Sequence, residues 1–478
     1  MNLHLIKTTA RLVVPLLFAL TFVGCPKDAP PKQQSSQSPK NDEPEPLTVL
    51  VIEDVLIGEP LTRQWMAETS GKLTIVNRSM EALAKDDFEL GREVDIVIYP
   101  VDILGELESR SRILPLSRDV WQSDQYNKEE LLRIFRSTIP RHRNEIWGVP
   151  LGGAMFTLVF DEKIFLNPDT RVPETWEKLL EIVSQSRLNR ESGFSFRLPL
   201  AEGAAANLFL ARSAPLIRTR GRLSTVFERS DMKPLINTQP FRKALNELKE
   251  LMGDDQSQLD LTPQALFAEI AEGKTKMGIT WPPSRAVDGD RDPAPSAVAI
   301  GFASLPGQDE WFDPRGGTWN VRGEAEPRQF DLVGFNGLLG SASSTSRSTK
   351  DAFGFLSWLG NKSTPLKVLT FSSQSGPFRA SYLANPGVWF TRRLPVESAL
   401  RYGDVLYANH NRDVVFMFPR IPCRQQYLRI LDDNVRACLM GQLDVDSALA
   451  KIASEWEQLT DSYGRQRMIR ELAKDGGL

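Results

Sequence analysis

The sequence predicts an α/β fold, and three features of its first hundred and fifty residues carry that prediction. Short apolar, β-branched runs stand at Leu47 to Ile52 (LTVLVI), Leu73 to Val76 and Val94 to Tyr99 (VDIVIY). An amphipathic stretch from Pro60 to Thr69 separates the first two runs. Apolar runs of this length suit buried strands, and strand–helix–strand alternation at this spacing suits a parallel sheet. The loops at the strand ends of such sheets are where ligands bind.

The remaining elements follow in order. Residues 146 to 165 (IWGVPLGGAMFTLVFDEKIF) read as a strand, a Gly-Gly turn and a second strand. VPETWEKLLEI, from Val172, opens a helix with Pro173 in its first turn. Pro240 to Met252 and Thr262 to Glu272 read as helices, and Lys276 to Trp281 (KMGITW) as a short strand. Ala299 to Leu305 ends at Pro306-Gly307, and Gln308 to Arg328, with WFDPRGGTWN inside it, reads as loop. Leu332 to Gly340 is Gly-rich and apolar. Ala352, Phe355, Leu356 and Leu359 fall on one helical face, and Val445, Ala448, Leu449, Ile452, Trp456 and Leu459 form a second stripe, read as core. No internal repeat is visible.

The chain has 478 residues, of which 41% are hydrophobic and 25% charged, and this is ordinary globular composition with room for two or three domains. The net charge of −3 provides no basic field for a phosphate backbone, which argues against a nucleic-acid partner. The three histidines are His4, His142 and His410, too few for a His-rich metal site and a thin supply for a Ser-His-Asp enzyme. Asp288-Gly289-Asp290-Arg291-Asp292 lacks the Gly and closing Glu of a calcium loop and reads as solvated, so neither metal nor cofactor is expected.

The N-terminus carries an export pattern. Lys7 and Arg11 precede an apolar run from Leu12 to Val23, too short for a comfortable membrane span and of signal-peptide length. The run ends Phe22-Val23-Gly24-Cys25, which resembles the bacterial lipoprotein box with Phe22 where Leu is usual. Residues 1–24 are therefore expected to be a signal peptide and Cys25 a lipidated anchor to the membrane; an ordinary signal peptide cut elsewhere is the alternative. Pro26 to Pro46 is rich in Pro, Ser, Gln and charge, so that 25–46 reads as a lipidated tether with a reach of about 25 Å. Export permits disulfides, but the segment between Cys423 and Cys438 looks helical, and a continuous helix of that length spans about 22 Å, beyond disulfide reach. A bridge would need a break in that helix; two buried thiols is the plainer reading.

In order along the chain, VDIV at Val94, LESRSRILPL at Leu107, WGVP at Trp147 with LVFDEKIF at Leu158, and PETWEKLL at Pro173 resemble segments of the family 1 extracellular solute-binding proteins. FAEIAEGKTKMG at Phe267, Ser346 to Leu359, GPFR at Gly376 and Gly441 to Ala448 extend the resemblance over most of the chain. These proteins are the sugar-binding components of ABC importers. The resemblance implies a two-lobed periplasmic-binding-protein-like fold of type II, with a hinge and the solute in the interlobe cleft. Lobe one would take 47–150 plus 335–375, and lobe two 151–334 plus 376–478. It also implies a monomer that does no chemistry, a small solute with a carbohydrate first, and ABC permease subunits as partners.

A sugar needs a flat aromatic and a few directed polar groups. Trp281, at the end of its strand, is the first candidate platform; packing under Pro282 and Pro283 is the other reading. Trp311, Trp319 and Trp389 stand in loop-like surroundings as second choices, whereas Trp147, Trp176, Trp358 and Trp456 sit in element patterns and read as core. Asp102 lies just past the strand ending at Tyr99; Asn336 and Gly337 lie where backbone amides could approach a ligand; Arg379 could pair with adjacent hydroxyls or a carboxylate. Against these stand a capping Asp, an Asn-Gly turn and an interlobe salt bridge. Two rival functions remain: a lipid-anchored polysaccharide-processing enzyme, for which no local signature singles out a carboxylate pair, and a binding protein serving a sensory receptor.

Overall fold

A computed structural model describes residues 45–166, 171–188, 193–219, 225–285 and 294–475. The signal peptide, Cys25, nearly all of the tether and the Asp288–Asp292 run lie outside the described residues. No helix among those described is long and apolar enough to cross a membrane.

The apolar runs become the first three strands of a five-stranded sheet in the order Leu73–Arg78, Leu47–Ile52, Ile96–Pro100, Leu338–Ala342, Val149–Pro150, with Leu73–Arg78 at its edge. The first three strands are parallel, with Leu50 opposite Val76 and Val97. Leu338–Ala342 runs antiparallel to both its neighbours. Val49, Leu50, Val51, Ile96, Val97 and Ile98 are wholly buried, because helices and loops cover both faces; this is why their sequence is continuously apolar rather than alternating. The helix Thr349–Leu359 packs on this sheet through the expected face, with Ala352, Phe355, Leu356 and Leu359 inaccessible.

A second sheet, in the order Ile300–Ala303, Thr157–Asp161, Met277–Thr280, Phe196–Arg197, has antiparallel pairing except at Phe196–Arg197, which runs parallel to Met277–Thr280. The helices Val396–His410 and Pro263–Ala271 pack against its strands. A bundle formed by Ala204–Ile217, Gln239–Met252, Arg424–Leu439 and Val445–Tyr463 continues this half. The C-terminal helix Arg465–Asp475 ties back to Arg420 and to the 104–146 region: Asp475 accepts from Arg420 at 3.2 Å and meets His142 at 3.1 Å, and Glu471 pairs with Arg143. Burial opposes the charge on Asp475, but Arg420 and His142 outweigh it and hold the carboxyl well below the ordinary aspartate range.

Two local expectations are corrected. Val149–Pro150 and Thr157–Asp161 do not form a hairpin about Gly152-Gly153; they belong to different sheets, and the glycines lie in the passage between them. Gln308 to Arg328 is not all loop, since Glu310–Asp313 and Thr318–Val321 pair antiparallel around Arg315 to Gly317. Strands of four residues on either side of a polar turn are too short to show a period. Cys423 caps the helix Arg424–Leu439 and Cys438 sits in its last turn; both thiols are free and buried, and burial pushes Cys423 up to about 12. Trp147, Trp176, Trp358 and Trp456 are all buried.

The chain passes between the sheets three times: between Pro150 and Thr157, between Val333 and Leu338, and between Phe371 and Val396. These passages touch backbone to backbone. Gly152 has φ +88° and Gly337 φ +106°, conformations that L side chains rarely adopt. A Cβ at Gly152 would lie 2.2 Å from the Gly376 carbonyl oxygen, and one at Gly337 would lie 2.3 Å from that of Gly152. Gly152→Ala is therefore expected to destabilise the chain by more than about 2 kcal/mol, since the left-handed conformation alone costs about 1–2 kcal/mol. The exposed Gly354, inside the helix Thr349–Leu359 with nothing near its missing Cβ, is the control. Gly354→Ala is expected to gain about 0.5–1 kcal/mol. Denaturant unfolding of both variants checks the pair, and equal effects would contradict the close approach.

Candidate functional site

The passages are locked by a short hydrogen-bond relay. Leu338 N–H donates to the Gly152 carbonyl at 3.1 Å, Leu151 N–H to that of Leu338 at 2.9 Å, and Val101 N–H to that of Gly337 at 3.0 Å. Ala154 N–H donates to Asn336 Oδ1 at 3.2 Å, which leaves the Asn336 amide –NH2 as the group available to a ligand. Asp54, buried just past the first strand, accepts from the Ser372 hydroxyl and from the N–H and hydroxyl of Ser373. Burial raises the Asp54 carboxyl above its ordinary range while these hydrogen bonds oppose the rise. Gln374 is held by the Glu53 carbonyl, to which its side-chain amide donates at 3.0 Å.

A cleft of about 470 Å³ opens beside this junction. The first sheet supplies Glu53 and Asp102, each just past the carboxyl end of one of two adjacent parallel strands, with Met80 between them in sequence. This is where open α/β sheets bind ligands. The second half supplies Gln264 and Gln425, both in the first turns of helices, and the passages supply Phe335, Asn336, Gly337, Ser373 and Gln374. A smaller recess shares Asn336, Ser373 and Gln374 with the cleft and reaches Trp281, Phe390 and Tyr402.

The cleft's aromatic side is a cluster of three rings. Phe335 stacks on Phe156 at 4.9 Å and 9°, and Trp281 meets the two edge-on at 5.9 and 5.2 Å. Phe335 is half-buried, whereas Trp281 is only 7% exposed. The ring that lines the larger cavity is thus Phe335, and Trp281 braces it from the smaller recess. The ring contacts of Trp281 are with Phe156 and Phe335 rather than with Pro282 and Pro283.

Asp102 Oδ2 lies 3.4 Å from Arg424 and 3.5 Å from the Gln425 amide; its Oδ1 is buried without a hydrogen-bond partner. Burial raises the Asp102 carboxyl and Arg424 opposes that rise. Arg424 is itself buried and donates to the Gly334 carbonyl at 3.0 Å. Glu53 has φ +63°, a conformation costing a non-glycine residue about 1–2 kcal/mol, and its carboxylate accepts from Met80 N–H.

Of the sequence candidates, Asp102, Asn336 and Gly337 line the cleft, and Trp281 lines the adjoining recess. Arg379 does not. It is wholly buried and donates to the carbonyls of Tyr126 at 2.7 Å, Asn127 at 3.0 Å and Gly360 at 2.5 Å, so its guanidinium is engaged by backbone. Trp311 and Trp319 are also corrected: they lie on the hairpin that packs against Ala204–Ile217 and Gln239–Met252, where Trp319 donates to Gln239 at 3.0 Å. Trp389 is buried against Tyr382. Sequence reasoning missed Glu53, although the strand-end rule that selected Asp102 points to it as well. It also missed Phe335, Gln264, Gln374 and Gln425, which carry no local signal.

Because the buried Arg379 serves three backbone carbonyls, two of them in buried bonds, Arg379→Met is expected to lower stability by more than about 3 kcal/mol, read by denaturant unfolding. Unchanged stability would return Arg379 to the candidate ligand contacts.

No protein-family model matches the chain, and no curated protein matches it in sequence. Solved structures do match in fold. A solute-binding protein of an ABC transporter from Agrobacterium radiobacter K84, in complex with ribitol, superposes with a TM-score of 0.64 at 17% identity, covering 86% of this chain and 98% of that one. Maltose-bound MalE3 of T. maritima gives 0.62 at 16% identity, covering 86% and 100%. The sugar-binding protein MalE of Xanthomonas citri gives 0.60 at 14% identity, covering 90% and 98%. The chain has the two-lobed α/β fold of these periplasmic solute-binding proteins, type II as expected.

Proposed function

We propose that this protein is an extracytoplasmic solute-binding protein that captures a small polyhydroxylated solute, a carbohydrate or polyol, between its lobes and delivers it to an ABC importer. The observation that carries the reading is the 470 Å³ cleft, to which both halves and their connecting passages contribute polar side chains around one half-buried ring. Glu53 and Asp102 accept hydroxyl hydrogens, and Gln264, Gln374 and Gln425 both donate and accept. Phe335 offers an apolar face to ring carbons. The matched structures are binding proteins, two of them holding ribitol and maltose, and this supports the class of solute.

In this reading lobe one is 47–150 plus 335–375 and lobe two is 151–334 plus 376–478, with the glycine junction as hinge. Residues 1–24 direct export, lipid on Cys25 anchors the chain to a membrane, and the tether lets a monomer reach permease subunits. The solute is released unchanged.

Pro44–Leu478 forms one compact unit, so a soluble fragment starting near Leu47 can be screened by thermal shift against monosaccharides, oligosaccharides and polyols. A ligand at a hundredfold its dissociation constant is expected to stabilise the chain by about 2.7 kcal/mol. Phe335→Ala should weaken the shift without unfolding the apo protein, and chromatography should recover the solute intact. A flat response across the panel would contradict the proposal, and conversion of the solute would favour the enzyme reading.

A further inference from the structure

We infer that the solute is an amino sugar: a polyhydroxyl frame bearing a protonated amine. This rests on the solute-binding reading above and adds the ligand's charge. Among the described residues lining the cleft, the charged side chains are Glu53 and Asp102, with no Lys, Arg or His beside them. Arg424 lies 3.4 Å from Asp102 but is only 3% exposed and donates to Gly334, so it balances one carboxylate from behind. Glu53, exposed at the cleft and accepting from Met80 N–H, has no cation paired with it among the described residues, and it lies in a space that the lobes must close.

Closing on a neutral ligand would take water from that charge and return only hydroxyl hydrogens, with no countercharge, in a low-dielectric site. An anionic ligand would add repulsion. A single ammonium supplies the missing charge and its N–H donors. Asp102 Oδ1, buried and without a hydrogen-bond partner, retains acceptor capacity for such a donor. The other lining groups suit the rest of the molecule. The amides of Gln264, Gln374 and Gln425 match hydroxyls, which both donate and accept. The Phe335 ring, braced by Phe156, suits either a sugar face or a nearby cation.

Calorimetric titration of the full chain tests this with amino mono- and disaccharides, each beside its neutral parent, its N-acetyl derivative and the matching uronic acid. The tightest ligand should be an amine, at least tenfold tighter than its parent and its N-acetyl form, and the uronic acids should not bind. Glu53→Gln and Asp102→Asn should each cut the amine preference severalfold, with apo melting curves confirming that both variants fold. A neutral or acetylated member binding as tightly as the amine, a uronic acid binding well, or a preference untouched in both variants overturns the inference and leaves solute capture standing. Silence across the whole panel overturns both.

Discussion

The structure depends on the contact of three chain passages at Gly152, Gly337 and Gly376, where backbone meets backbone too closely for a side chain between them. The buried residues of the two sheets belong to one continuous apolar cluster, which by itself does not fix how the sheets meet. Here the relay from Leu338 to Gly152, from Leu151 to Leu338 and from Val101 to Gly337 fixes where they meet. Gly152 and Gly337 hold positive φ at this junction, and in the proposed reading it is the hinge between the lobes.

The cleft follows from that junction. The parallel strands of the first sheet point their carboxyl ends at it, so the residues just beyond them, Glu53 and Asp102, face the other half. Asp54 binds the third passage to the first strand and thereby sets Ser373 and Gln374 beside Glu53. The second half approaches with the first turns of two helices, bringing Gln264 and Gln425.

Much of the fold was legible because burial writes itself into composition. Runs such as LTVLVI and VDIVIY have no exposed face, and the stripe from Ala352 to Leu359 has one. Asp102 was legible because a strand end is visible in sequence; Gly337 was legible as part of a Gly-rich crossing segment with open backbone, but its close contact with the Gly152 backbone was not. Phe335 was hidden: nothing distinguishes one phenylalanine from another until Phe156, far away in sequence, stacks beneath it. Arg379 misled for a related reason, since a guanidinium suited to a ligand is equally suited to three backbone carbonyls, and only the fold shows which it meets. The tryptophans of the hairpin looked like binding platforms because their strands were too short to announce themselves.

The central claim is that a solute is held between two lobes that close about the glycine junction. The most direct measurement is the distance between spin labels on Glu81→Cys and Ala265→Cys, exposed neighbours of the cleft residues Met80 and Gln264, with and without saturating solute. The account predicts one shorter, narrower distance distribution in the bound protein. Saturation with no change in that distance would contradict it.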